Sequence, residues 1–226
     1  MKHPLKWKKI PLSTIDPSKY PTLYKRSPIF STIVEGHVFY SNNPVADCEI
    51  FYEKIDDGCW LMAMEIHSKS NNHYVVHSKR TEKDHCSINI FSNPKNKAML
   101  ADGDFRGPDD YVRFIAPGMD FEFYQQEGTI LKLCRLIFSQ GYLGKLISFE
   151  EIFSAEPEAS DLSQFYGKLN INRRAASVEI LTQSRLLNLL RYERGTHHFR
   201  PSIYSDFFQL AAFFLNYRDC REQRKS

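Results

Sequence analysis

Turn chemistry interrupts this 226-residue chain at short, nearly even intervals as far as residue 138. Asn42-Asn43-Pro44, Asp56-Asp57-Gly58, Asn71-Asn72, Asn93-Pro94, Pro117-Gly118 and Glu127-Gly128 are all turn signals. The segments between them read as strands: Ile33 to Tyr40, Ala46 to Lys54, Cys59 to His67, His73 to Arg80, Cys86 to Phe91, Tyr111 to Ile115, Met119 to Gln125 and Thr129 to Phe138. Many short strands at regular turn spacing predict an antiparallel sandwich or barrel. The third segment alternates most clearly. Trp60, Met62, Met64 and Ile66 share one wholly apolar face, expected to meet a core. Leu61, Ala63, Glu65 and His67 share the other, which turns polar toward its end as a half-wet face would. Asp57-Gly58 ahead of it is a hairpin signal.

After residue 139 the period changes. Gln140 to Ile147 and Glu158 to Phe165 read as short helices, and Ala175 to Glu193 as a long one. Ala176, Ile180, Leu187 and Leu190 form a stripe on it, widened by Val178, Leu181 and Leu189, so cover is expected on more than one side. Gly195 is placed to cap it. A last helix is expected from Pro201-Ser202, with proline in its first turn. Ile203, Phe207, Leu210, Phe214 and Tyr217 recur on it at helical spacing, beside a second stripe of Tyr204, Phe208, Ala211 and Leu215. A helix this apolar needs a partner. The 175–193 helix would supply one in an antiparallel hairpin, leaving apolar surface for a second subunit. Ile203, Phe207, Leu210 and Phe214 are the candidate dimer contacts.

Seventeen Phe, twelve Tyr and two Trp suit a packed β-rich body. The net charge of +3 is too small for a basic nucleic-acid stripe, and basic clusters occur only at the two ends. The five cysteines, at 48, 59, 86, 134 and 220, include no CxxC pair. With no signal peptide at the N-terminus, they read as reduced thiols of a cytoplasmic protein, Cys134 as a small core residue. No apolar run reaches the roughly 18 residues of a membrane span. The Lys- and Pro-rich residues 1–30 read as an arm.

Catalytic and metal chemistry find little support. There is no HxH pair; His73 and His77 share a strand face, His67 and His85 lie on neighbouring segments, and the adjacent His197 and His198 diverge. No metal is expected. The loop from Asp102 to Asp110 resembles a calcium loop in carrying Gly107 at its sixth position, but Arg106 and Arg113 occupy the fifth and twelfth, where oxygen ligands belong. GxSxG and GxGxxG are both absent. A ligand-binding interior is the better reading, because small barrels enclose apolar, aromatic cavities with a few orienting polar groups. The strand-borne candidates are Tyr40, Trp60, Tyr74, His77, Arg113 and Tyr124.

Two stretches resemble a known family. FYEKIDDGCWLMAMEIHSKSNN, residues 51–72, resembles an early hairpin with an acidic-Gly turn, a Trp and alternating hydrophobics ending in a basic-Asn turn. YVRFIAPGMDFEFYQQEGTILKLCRLIFSQGYL, residues 111–143, resembles the later strands of the same domain. The family is that of AraC-type transcription regulators, in the cupin-like form of their N-terminal domain. The resemblance spans about residues 30–217, and the order of the motifs carries it. It implies an α+β fold, an antiparallel cupin-like β-barrel followed by a helical dimerisation region. The implied divisions are an arm at 1–30, a sensing barrel at 31–139, the helical region at 140–217 and the start of a linker at 218–226. It further implies a homodimer without catalytic activity or cofactor, in which a small-molecule effector biases the helical interface and thereby attached helix-turn-helix domains. No segment after residue 139 reads as a helix-turn-helix, so DNA contact is expected only through a part this chain lacks. A stand-alone cupin-like protein, binding a small molecule or acting as a metal-dependent enzyme, is the alternative.

Overall fold

The computed structural model describes residues 6–12, 32–34, 37–40, 44–76, 85–92, 99–100, 110–151 and 172–222. Within them the fold is α+β, mostly strand with three α-helices. The strands are β1 (Lys8–Leu12), β2 (Thr32–Val34), β3 (His37–Tyr40), β4 (Ala46–Asp56), β5 (Cys59–Ser68), β6 (Asn72–Val76), β7 (His85–Ser92), β8 (Met99–Leu100), β9 (Tyr111–Ile115), β10 (Phe121–Gln125), β11 (Ile130–Ser139) and β12 (Asn172–Arg174). The helices are α1 (Gln140–Glu151), α2 (Ser177–Asn188) and α3 (Phe199–Glu222), with a π-helical turn, Leu189–Glu193, continuing α2.

Two sheets form. The smaller runs β1-β6-β10-β8 and the larger β12-β9-β7-β11-β5-β4-β3-β2. Every ladder is antiparallel except β1 with β6, so Lys8–Leu12, within the expected arm, is a sheet strand. Among the described residues the sheets do not close into a barrel, which corrects that expectation. Two turns explain why. Pro117-Gly118 joins β9 of the large sheet to β10 of the small one, and Glu127-Gly128 returns the chain to β11. Both look like hairpin turns in sequence, yet neither joins paired strands. The stretch from Ile33 to Tyr40 is likewise not one strand. Val34 pairs with His37 and Thr32 with Phe39, making a hairpin of β2 and β3. The expected helix from Glu158 to Phe165 lies outside the described residues.

The large sheet is covered on both faces. On one, Met62, Ile66, Leu133 and Ile137 pack with Tyr74, Val76, Phe121 and Phe123 of the small sheet. On the other, Leu61, Ala63, Ile88 and Leu136 pack with Leu186, Leu190, Ile203 and Phe207 of the helical region. The expected half-wet face of β5 is therefore buried at Leu61 and Ala63, both at most 1% exposed. Cys134 is a core residue, as its surroundings in the sequence suggested. Burying strands on both sides turns period-2 alternation into near-continuous hydrophobicity, and β11 reads that way.

Helix α2 and the turn after it bury Leu187, Leu189 and Leu190 as expected, but Leu181 of the same stripe faces outward. Leu181 is exposed at 70%, whereas Glu179, Thr182 and Gln183 are buried. Each of the three makes a hydrogen bond close by. Glu179 accepts the Ala176 N–H at 2.8 Å, the Thr182 hydroxyl donates to the Val178 carbonyl, and the Gln183 amide donates to the carbonyls of Ile90 and Lys132. Gly195, at φ +95°, reverses the chain after the π turn.

Gly58 fixes the β4–β5 corner. Its φ is +83°, and a Cβ there would collide with the Ser139 hydroxyl. Ser139 is tied into this corner twice, donating its N–H to the Gly58 carbonyl at 2.7 Å and accepting the Tyr142 N–H that opens α1. Gly58→Ala is expected to cost about 2 kcal/mol or more, from left-handed backbone strain plus displacement of the helix cap. Urea denaturation measures this; an unchanged midpoint would refute it.

Candidate functional site: the space between the sheets

Strand register sets a row of side chains across the face of the large sheet that meets the small one. Tyr52 pairs with Met62, Met62 with Arg135, Arg135 with Asn89, and Asn89 with Arg113. Arg135 is only 4% exposed. Its Nε donates to Asn89 Oδ1 at 2.6 Å, and its guanidinium lies 5.4 Å from the centroid of the Phe121 ring on the facing sheet. Asn89 is held in turn: its amide donates to the Ser87 hydroxyl at 2.9 Å and to the Arg113 carbonyl at 3.4 Å. An asparagine thus joins two arginines within an interior that is otherwise largely apolar.

Polarity is graded along this space. At one end Phe91 stacks on Tyr111 at 4.5 Å and tilts against Phe123, which stacks on Tyr74 at 4.6 Å. All four rings are buried, and burial raises the phenols of Tyr74 and Tyr111 above the ordinary tyrosine range. Toward the other end follow Asn89, Ser87 and His85, paired with Arg135, Ile137 and Ser139 of β11. There Trp60 and His85, 5.6 Å apart between ring centres, are half-buried rather than sealed. The interior is closed and aromatic at one end, polar and more open at the other.

The candidate ligand residues divide accordingly. Trp60, Tyr74 and Arg113 belong to this interior. Tyr124 does not. It lies on the outer face of the small sheet, stacked on His73 at 4.2 Å and met edge-on by Trp7. His73 is hydrogen-bonded there to Glu122 at 2.7 Å. Tyr40 is described by its backbone alone, paired with Cys48 at the start of β4, and His77 lies outside the described residues. Arg135 and Asn89 were not anticipated. A signal was present, because an arginine inside the apolar run of β11 has to be satisfied by something buried with it.

The four candidate dimer contacts require correction. Ile203, Phe207, Leu210 and Phe214 are each at most 1% exposed and seat α3 on its own sheet. Phe207 meets Phe138 and Phe214 meets Phe114. The regular 4-3-4-3 stripe is thus intramolecular. What α3 leaves outward is Tyr204, Phe208 and Phe213, exposed at 36–40%, beside a cleft of ≈ 390 Å³ bounded by Arg185, Leu189, Pro201, Ser202 and Ser205.

Arginines also tie the helical region to the sheet. Arg191, in the π turn, donates to Glu49 on β4 and lies 3.6 Å from Glu65 on β5. Arg194 donates to Glu53 at 2.7 Å and to the Tyr52 carbonyl. Burial would raise the Glu65 carboxyl, but the His67 hydrogen bond and the charges of Arg191 and Lys132 outweigh it and hold the group below its usual 4.5. A carboxylate with a lowered folded value adds stability above its unfolded range and loses it as pH falls through the folded value. Wild-type stability should therefore fall more steeply than that of Glu65→Gln between about pH 5 and pH 3. Parallel urea-midpoint profiles for the two proteins would exclude this role.

The four described cysteine thiols are not poised as nucleophiles. Burial pushes the Cys86 and Cys134 thiols up to about 12 and those of Cys48 and Cys59 higher still, so all four stay protonated near neutral pH. Among the described residues no three His, Cys, Asp or Glu side chains come together to hold a metal ion. No described helix is long and apolar enough to cross a membrane.

No family model matches the chain, and no curated protein sequence does. Among solved structures, the AraC-like transcriptional activator CuxR is similar at 12% identity and a TM-score of 0.41, over 82% of this chain and 62% of that one. The chain thus matches about three-fifths of CuxR's length. The ectoine synthase from P. lautus is similar at 10% identity and a TM-score of 0.24, over 44% of this chain and 67% of that one. Vicilin from Corylus avellana (hazelnut) is similar at 10% identity and a TM-score of 0.27, over 70% of this chain and 52% of that one.

Proposed function

We propose that this chain is the regulatory, ligand-sensing and dimerising module of an AraC-type transcription regulator, and that it carries no catalysis of its own. The observation that carries this reading is that one sheet serves two cores. On β5, Trp60 and Met62 alternate with Leu61 and Ala63, so neighbouring residues touch the inter-sheet interior and the helical region in turn. A ligand bound between the sheets would act on the strands that seat α2 and α3. Since an effector shifts a two-state protein only through its differential affinity for the states, such shared strands are a physical route for that difference. The outward ring row of α3 is the surface proposed to meet a twin chain, and DNA contact would come from helix-turn-helix domains attached to it.

The test is hydrogen exchange on full-length protein with any small molecule that raises its melting temperature. Slowed exchange in β7 and β11 accompanied by altered exchange in Ser177–Glu193 is expected. Protection confined to the strands, in a protein that sediments as a monomer at high concentration, would overturn the proposal.

A further inference from the structure

We propose that the cleft between α2 with its π turn and α3 is a binding site for the phosphoryl group of a small molecule, held by Arg185 from one helix and by Ser202 and Ser205 from the other. The site is separate from the space between the sheets and does not depend on the sensing role proposed above.

The argument begins with a buried acid. Asp206 on α3 is 0% exposed, and a carboxylate out of water requires a counter-ion. Arg185 on α2 supplies it: its Nε donates to Asp206 Oδ2 at 2.6 Å, and one Nη pairs with Oδ1. Two of the three guanidinium nitrogens are thereby taken, and the planar group is fixed in orientation. The third nitrogen is left on the edge away from the carboxylate. The Arg185 side chain is 60% exposed and lines the cleft, whereas Asp206 does not. The guanidinium is thus a donor oriented in advance, which lowers the cost of ordering it around a ligand.

The other lining residues select the ligand. Ser202 and Ser205 are three apart on α3 and so lie on one side of it. Among the described residues neither hydroxyl has a hydrogen-bond partner. One guanidinium edge and two hydroxyls make three donor groups around one cleft. A carboxylate has two oxygens to offer them, whereas a phosphoryl group has three. Charge agrees with this. The exposed positions of α2, and of α3 as far as Phe213, include Arg185 and Arg200 and no Asp or Glu. Asp206 balances Arg185, so Arg200, next to Pro201 of the cleft wall, carries the excess positive charge of this face. Arg185, Pro201 and Ser205 are exposed, so a dianion there keeps part of its hydration and escapes the penalty of an apolar interior. Leu189 and Pro201 complete the wall with apolar surface for the body of the molecule. The volume, ≈ 390 Å³, falls within the roughly 300–1,000 Å³ of small-molecule sites.

Equilibrium dialysis of the full chain against phenyl phosphate, inorganic phosphate and sodium benzoate, each alone at about pH 7.5 where the phosphates are mostly dianions, tests the site. Saturable one-to-one binding of phenyl phosphate is expected, with benzoate at least tenfold weaker. Inorganic phosphate held as tightly as the ester would assign the site to the free ion, and weaker binding would assign it to an ester with an apolar body. Ser205→Ala should weaken binding about threefold, and Ser205→Asp, which puts an acid into the cleft at an exposed position, tenfold or more. Arg185→Gln alone would strand the buried Asp206, so the guanidinium is removed together with its partner, as Arg185→Gln with Asp206→Asn. That pair should abolish binding in a protein whose circular dichroism is unchanged; if the pair does not fold, Ser205→Asp decides. No saturable binding of either phosphate, benzoate held as tightly as phenyl phosphate, or binding unaltered by Ser205→Asp would overturn the proposal. None of these outcomes bears on the exchange experiment that tests the sensing role.

Discussion

Replacing Phe207 by alanine is expected to destabilise the chain by about 3–5 kcal/mol, the range for emptying a buried phenylalanine site. The side chain is 0% exposed, and its ring stands 5.6 Å from that of Phe138, at the seam where α3 meets the large sheet. The neighbouring positions are fixed by strand pairing and by the helix backbone, so the site cannot collapse around the loss. Against a total stability of about 5–15 kcal/mol, this is a large share. In a chain of this size it corresponds to a fall in melting temperature of order 10 °C. Phe208→Ala is the control. Phe208 is 40% exposed and touches Phe207 edge-on, so its loss should change stability by less than about 1 kcal/mol. It should weaken self-association if the outward face of α3 is the twin contact. Thermal denaturation followed by circular dichroism reads the first effect, and sedimentation velocity the second. A Phe207→Ala protein that melts like the wild type would mean that α3 is not seated on the sheet as described.

The contrast between adjacent phenylalanines shows where sequence reading works and where it stops. Strand positions were legible because turn residues and period-2 alternation are local properties: β4, β5, β7, β9, β10 and β11 lie within a few residues of where they were expected. Sheet membership was not legible. Pro117-Gly118 and Glu127-Gly128 reverse the chain whether the next strand pairs with the last or crosses to the other sheet. The first half of α2 departed from expectation for a related reason. Hydrophobicity sends Glu179 and Gln183 to water and Leu181 inward, and it cannot anticipate that Ala176, Ile90 and Lys132 supply the partners that let the polar pair be buried. On α3 both stripes were visible, and the more regular one was assigned to the wrong contact. A helix seats its best apolar stripe on its own sheet first, because that neighbour is always at hand.

Of the interior site, Trp60, Tyr74 and Arg113 were readable as strand-borne aromatic or polar groups. Tyr124 was placed with them because Phe121, Phe123 and Tyr124 are all aromatic, which hides the phase of β10; burial of the two phenylalanines decides it. Arg135 was missed because it stands among apolar residues that one reads as strand core. The partner that makes it intelligible, Asn89, is 46 residues away and reached only through the β7–β11 register.

Arg191→Met is expected to cost about 1–3 kcal/mol, because it leaves Glu49 and Glu65, whose side chains are only 21% and 16% exposed, without their shared cation. Part of that cost belongs to carboxylates left with fewer partners, so a double-mutant cycle with Glu49→Gln is the proper measurement. In the Glu49→Gln background, loss of Arg191 should be cheaper by about 1 kcal/mol. Additivity within about 0.3 kcal/mol would show that the pair does not hold the turn to the sheet. The coupling should persist at high salt, since screening acts weakly on groups this far out of water. The location gives the number its interest. Arg191 lies in the π-helical turn, and such turns have backbone hydrogen bonds out of step with the α-helix around them. Two leucines of the same turn, Leu189 and Leu190, are in the core that seats α2 and α3. A local change at β4 or β5 would therefore reach the helices through one short segment pinned by charge on one side and by packing on the other. If that segment is the joint, Arg191→Met should speed amide exchange in Leu189–Glu193 while leaving β7 and β11 protected.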